Sequence, residues 1–473
     1  MKTQRTDLVL SSAVAIAGIV LLSVWLNTRS SRSLQARIPG QDGAPLASAD
    51  DSTAGGSSST TVGQPVRGAG QAAGVPGEWP TFRGPKRDGI CEDSTRLARS
   101  WLAQGPPVLW QLTVCEGYAS PAIHAGCAYL LDYDEAAGAD TMRCLSLDDG
   151  REIWRNSYPV ALTRNHGISR TMPAVVEDRV ITIGPRCHVV CWDAKTGESR
   201  WLIDLVREHH AVVPRWYAGQ CPLIDQDRLI LAPCGDSLLI AVDYKTGKVL
   251  WKSPNPRRWE MTHVSVVPAV LQGRRTYVYC GSGGVAGIAA DDGSLLWDTT
   301  AWPVQFAHAP SPLALPGDRI FLSSGYGNKT GALILSLQQQ GGKFQVATAA
   351  ELTPQQFNSE QQTPILYRDH IFGVRKRGGG QLVCLDVNGK EVWNSGTDRF
   401  GHGPYMIADG CVLVMDNSGR LALAEADIAS YRRLASYQVF EDGHDAWGPM
   451  ALAGGRLIVR DLTRMVCLDI AAH

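Results

Sequence analysis

The chain has 473 residues, 44% of them hydrophobic, and a formal charge of −1, enough apolar material for a large core. That balance leaves no basic footprint for nucleic acid. Twelve cysteines spread through so long a chain lack the density of a small disulfide scaffold.

The first element is an uncharged run of 19 residues, Leu8 to Leu26, preceded by Lys2 and Arg5. It is long enough to span a bilayer. It exceeds the apolar core of a signal peptide, and Asn27, Thr28 and Arg29 come after it instead of a small-residue cleavage site. Residues 1–37 therefore read as an uncleaved transmembrane anchor. Arg29, Arg32 and Arg37 offset Lys2 and Arg5, so charge does not set its orientation. Residues 38–76 are dominated by Gly, Ala, Ser and Thr, the composition of a flexible, disordered linker. Residues 77–104 are expected to form an N-terminal extension that packs on the large domain after it.

From about residue 105 the chain repeats. Pro121, Pro173, Pro222, Pro268, Pro312, Pro364, Pro404 and Pro449 each open a short apolar run ending in a turn, at a mean interval of about 47 residues. That period belongs to solenoids and propellers. A second landmark keeps the same beat: Asp243, Thr246, Gly247, Trp251, and again Asp193, Thr196, Gly197, Trp201. Asp caps the turn, Gly supplies positive φ, and the next strand carries a large ring. Weaker copies end at Trp154, Trp297 and Trp393, Trp110 begins the series without its turn, and Phe344 and Tyr437 take the ring's place in two repeats. Short aliphatic runs bounded by Gly, Pro and Asp read as strands, and the repeat has room for four. The expected fold is all-β, an eight-bladed propeller of four-stranded blades over 105–473. One blade cannot bury both faces of its sheet alone, so Trp110, Trp154, Trp201, Trp251, Trp297 and Trp393 are expected as wedges between blades. Val108-Leu109-Trp110 lacks the strand before it and Met465–Asp469 lacks the Trp strand after it, so the two ends should pair and seal the ring.

Cys144, Cys191, Cys384 and Cys467 occupy similar places before the Asp turn and fit a blade core. Cys187 and Cys191, with His188 between them, have no second ligand pair nearby, so no metal site is expected. Asp132 to Glu135 is acidic, but without a calcium loop's ligand series it reads as a solvated loop.

If the prolines open equivalent strands, the residues before them share one rim of the central funnel. His166, His263, His308, His402 and His444 lie within seven residues of their prolines, five of eleven histidines in windows covering 56 of 473 positions. The same segments hold Tyr118, Arg170, Trp216, Tyr217, Gln220, Gln361, Gln362, Phe400 and Trp447, with Asn165 and Glu260 just outside. Ring faces and a few polar groups at a concave mouth suit a ligand or peptide.

The element Ala241 to Trp251 resembles the repeat of the PQQ-like propellers, which include quinoprotein alcohol dehydrogenases and the BamB group of outer-membrane protein assembly. Trp79-Pro80-Thr81-Phe82-Arg83-Gly84-Pro85, with Asp88-Gly89, is similar to the segment ahead of the propeller in PQQ-like repeat proteins of the planctomycete type. Trp447-Gly448-Pro449 and Arg460-Asp461 to Cys467-Leu468-Asp469 are similar to that group's last blade. The resemblance implies the fold and leaves two functions open. One is a monomeric interaction scaffold, single-pass in the cytoplasmic membrane with its propeller on the periplasmic side, binding envelope proteins or peptides. The other is an oxidoreductase holding PQQ with calcium in the funnel, with Trp216 or Trp447 as stacking platform and Glu260 or a histidine as base. The enzyme pattern's adjacent cysteines, its calcium ligands and a haem-attachment motif do not appear in this sequence, which favours the scaffold.

Overall fold

Each repeat proline stands at or just before a short first strand, such as Ala122–His124 after Pro121 or Ile365–Tyr367 after Pro364. Proline has no N–H to donate, so it suits the start of a strand whose outer edge is unpaired. In the computed structural model, which describes residues 60–303, 307–327 and 330–473, every repeat continues as an antiparallel meander of four strands. Eight sheets result, and first strands of neighbouring sheets touch one another around a common axis. Of the two compact units, Met1–Gly43 and Ala44–His473, only the second contains described residues. The expected anchor over 8–26 lies outside them; among the described residues no helix is long and apolar enough to cross a membrane.

The ring closes by shared strands. Val108–Thr113 pairs antiparallel with Arg464–Asp469 as the fourth strand of the eighth blade, with Trp110 opposite Cys467. Arg460 of that blade, 2% exposed, reinforces the seam. Its guanidinium donates to the carbonyls of Ala119 (2.8 Å) and Cys115 (3.0 Å) in the segment that leads into the first blade.

Four of the six wedge tryptophans share one hydrogen bond to the neighbouring blade, which the buried Nε1 atoms of Trp251 and Trp297 do not make. Trp154 Nε1 donates to the Ala194 carbonyl of the next blade at 3.0 Å, Trp201 to Tyr244, Trp393 to Asp427, and Trp110 to Leu147 across the seam. A Cβ on Gly197 would lie 2.5 Å from Trp154, and one on Gly293 would lie 2.4 Å from Trp251. The glycine of each turn is thus needed twice, for its positive φ and for the close approach of the ring.

All eight blades carry a register shift between the third and fourth strands, and it gives a truer phase than the aromatic series. At that bulge Cys144, Cys191, Cys384 and Cys467 sit opposite Trp154, Trp201, Trp393 and Trp110. In the fifth blade the equivalent residue is Ala350, opposite Ile334, and in the seventh it is Ala435, opposite Leu423. Phe344 and Tyr437 therefore do not occupy the ring's position. Phe344 lies near the tip of a lengthened hairpin, Ala332–Gln340 with Lys343–Leu352, and Leu352 packs on Gly389 where a tryptophan would otherwise press.

The acidic segment also differs from expectation. Asp132 belongs to the strand Cys127–Asp134, is buried, and pairs with Arg143 at 3.0 Å. All twelve cysteines are unpaired and eleven are buried.

Residues ahead of the ring are laid against it. Val66–Arg67 adds an edge strand to the first blade, and Gly63, Gly68, Gly70 and Ala73 donate to its carbonyls. This part of the segment expected as a flexible linker over 38–76 is held by backbone pairing that its composition does not signal. The next stretch crosses the axis. Trp79 exchanges hydrogen bonds with Ile123 of the first blade, and the Pro80 carbonyl accepts from Val175 of the second. Arg83 donates to Thr363 (2.7 Å) and Pro364 (2.8 Å) of the sixth. Ile90–Cys91 then runs parallel to Tyr405–Ala408 of the seventh, and Asp93 accepts from Gly454 of the eighth. Between this strap and the first strands of blades three to six lies a cavity of about 300 Å³.

Candidate functional site

Antiparallel meanders put all the segments before the prolines at one end of the ring and the turns after the first strands at the other. The strap closes the second end. At the first end, Tyr118 and Trp447 stack at 5.5 Å, His166 packs against both, and His402 meets Trp447 edge-on at 5.4 Å. Gln362 bridges to the carbonyls of Trp447 (3.0 Å) and His402 (3.3 Å), so blades six, seven and eight meet there. Each of these side chains comes from the segment that opens a different blade, and together they form a cap of rings over the axis.

Arg170 lies beside this cap with its guanidinium carbon 5.2 Å from the centre of the Tyr118 ring. Asn165 supplies a carbonyl to it and fixes the neighbouring loop by donating from Nδ2 to the Arg215 carbonyl at 2.6 Å. Tyr217 donates to the Thr163 carbonyl at 2.6 Å, and Trp216 packs on His263.

The histidines divide. Burial, with Arg170 nearby, pushes the pKa of His263 down to about 3. Burial pushes His308 down to about 4, and His402 down to about 4 with help from Lys376. These three are neutral near pH 7, and the Nε2 atoms of His263 and His308 are buried without a hydrogen-bond partner among the described residues. His444 is exposed, apart from the cap.

Two other residues also turn away. Gln220 is buried and spends both ends of its amide on Ala232, within the third blade. Glu260 is exposed and is tied to Ser282 through its backbone. Phe400 belongs to the core of blades six and seven.

Sequence reasoning misses a charged pair at the same mouth. Glu360, 5% exposed, takes Lys376 Nζ at 2.5 Å on one oxygen and faces His402 Nδ1 at 3.7 Å with the other. Burial raises its pKa and Lys376 opposes the rise. Tyr326, which accepts from Gln361, completes the cluster. Glu360 lies four residues before Pro364, inside the window that singles out Gln361 and Gln362, so the sequence does carry its signal. Lys376 and Tyr326 come from later turns and have none.

The quinone reading can be tested on these side chains. PQQ needs an open slot between ring faces and a calcium-binding group of oxygen ligands. Here the faces of Tyr118 and Trp447 are turned on each other, and Glu360 is committed to Lys376. Among the described residues no group of three or more His, Cys, Asp or Glu is placed to hold a metal ion. At the mouth, neither the Tyr118–Trp447 pair nor Glu360 fits the group.

No curated protein sequence matches the chain. Among solved structures, BamB from Moraxella catarrhalis is similar at 12% identity and a TM-score of 0.49, over 77% of this chain and 99% of its own. A quinohemoprotein alcohol dehydrogenase from Comamonas testosteroni is similar at 14% identity and a TM-score of 0.41, over 85% of this chain and 82% of its own. The family profile described as outer membrane protein assembly factor BamB matches residues 138–394, more than half the chain. With eight four-stranded blades around one axis, the chain belongs to this PQQ-like, BamB-like family of β-propellers.

Proposed function

We propose that this propeller is a binding scaffold of the cell envelope, tethered to the membrane by residues 8–26, that presents the mouth on its proline side to protein or peptide partners. One observation carries the reading: the chain's own residues close the axis at both ends, with the Tyr118–Trp447 cap at one end and the Trp79–Cys91 strap, which leaves a cavity of about 300 Å³ beneath it, at the other. A pocket for a large planar cofactor would need both ring faces free. A recognition surface needs a rigid platform of rings with a polar rim, and the loops around Arg170, Trp216 and Trp447 supply one. Membrane attachment and a periplasmic location belong to this reading through the apolar run and the family.

The full chain in detergent, incubated with PQQ and Ca²⁺ and then dialysed, should retain no stoichiometric quinone by absorbance and mass spectrometry. Stoichiometric retention together with dye-linked alcohol oxidation would sink the scaffold reading and restore the oxidoreductase.

A further inference from the structure

Three arginines in this structure each donate four hydrogen bonds to main-chain carbonyls. Arg83 uses Nε, Nη1 and Nη2 on the carbonyls of Arg87, Thr363, Asp88 and Pro364. Arg460 likewise uses all three nitrogens, on Asp461, Ala119, Cys115 and Leu462. Both are saturated rivets. Arg170 is different. Its Nε donates to the Trp216 carbonyl at 2.6 Å, and Nη2 to Asn165 (3.2 Å), His166 (2.6 Å) and Gly167 (3.2 Å). Nη1 makes no hydrogen bond to any described residue.

No carboxylate among the described residues pairs with Arg170. Glu360 is taken by Lys376, and Glu116 by Arg164. Four carbonyls offset part of the cost of this largely enclosed cation, but they leave a whole positive charge uncompensated. The Tyr118 hydroxyl, on the ring that lies against the guanidinium, is buried and has no hydrogen-bond partner either. Tyr118 as a whole is 8% exposed. A guanidinium without a carboxylate partner and a buried hydroxyl without an acceptor thus meet through the Tyr118 ring at the mouth of the funnel.

We propose that Arg170 Nη1 and the Tyr118 hydroxyl form a carboxylate-binding subsite, which takes the anionic end of a small organic acid or the C-terminal carboxylate of a peptide. Both ligand groups share the same chemistry: an oxygen pair that accepts from a guanidinium N–H and a phenol O–H. The loop 165–167 and the Trp216 carbonyl hold the guanidinium before any ligand arrives, so little ordering remains to be done on binding. This inference rests on the mouth being a binding surface and names what it binds.

The test is calorimetric titration of the full chain in detergent with benzoate, and with a tetrapeptide carrying either a free or an amidated C-terminus. The free acids should bind, and the amide at least tenfold more weakly. A peptide acid that binds more tightly than benzoate identifies a chain end as the ligand; equal affinity identifies the free acid. Tyr118→Phe, which keeps the stack and the fold, should weaken acid binding severalfold with an unchanged melting temperature. Arg170→Gln should abolish it. Equal binding of acid and amide, or acid binding indifferent to Tyr118→Phe and Arg170→Gln, overturns the subsite while leaving the mouth as a surface. Absence of any acid binding overturns the subsite also, and partner contacts at the mouth are then read separately by crosslinking.

Discussion

Trp447 of the last blade stacks on Tyr118, which leads into the first, with ring centres 5.5 Å apart and planes 16° from parallel. The two residues come from opposite ends of the repeat array, and their contact lies beside the seam where Val108–Thr113 completes the eighth blade. Trp447 Nε1 also donates to Asn417 Oδ1 at 2.8 Å, and the same oxygen accepts from the His402 amide. Trp447→Ala should lower stability by about 3–5 kcal/mol, as buried ring deletions do. Trp447→Phe keeps a ring and loses one hydrogen bond, so about 1 kcal/mol is expected. Denaturant titration of both variants checks the ratio.

The wedge can be separated from backbone strain by two glycines with nearly the same φ. Gly197 has φ +77° and its added Cβ would meet Trp154 at 2.5 Å; Gly273 has φ +72° and open space. Gly273→Ala should cost about 1–2 kcal/mol for the left-handed backbone alone. Gly197→Ala should cost about 1–3 kcal/mol more, because the ring must move. Equal losses in thermal melts would mean that the ring gives way freely.

Those glycines also show how much of the fold is legible in the sequence. Turn chemistry is local, so Asp193 and Asp243, which accept from the backbone two and three residues on, mark the repeat directly. The bulge is a relation between strands and leaves no residue signature, which is why an aromatic count puts Phe344 and Tyr437 in the wrong place and passes over Ala350 and Ala435. The proline windows locate one end of the ring. Direction within them is illegible: Gln220 turns into its blade and Glu260 into solvent, while Glu360 turns inward because Lys376, a residue of the next hairpin, meets it there.

Buried neutral histidines make stability depend on pH. His263, His308 and His402 have folded pKa values near 3 to 4, below the ordinary 6.5, so the unfolded chain binds protons first as pH falls. Their contribution is complete above about pH 6.5 and is lost as pH drops toward 4. His308→Gln should therefore reduce the fall in melting temperature between pH 7 and 4 relative to the parent. An unchanged slope would place His308 in water.

Asp140 has the opposite sign. It is fully buried beside the Tyr158 hydroxyl, at the first-blade edge where Gly184 of the second packs, and burial raises its pKa to about 7. The folded state keeps a proton between about pH 4 and 7 that the unfolded chain has released, so stability falls as pH rises through that window. Asp140→Asn should match the parent at pH 4 and become progressively more stable than it up to pH 8. A constant difference across the range would refute the assignment.

Photo-reactive side chains at single positions in the native cell envelope test most directly whether the proline-side mouth is the partner surface. Arg164, Arg215 and His444 are exposed on that end, whereas Asp227 and Arg368 are exposed on the turns at the opposite end. Discrete adducts from the first three positions and none from the other two are expected. Adducts confined to Asp227 and Arg368, or absent from the mouth positions, would contradict the scaffold as drawn.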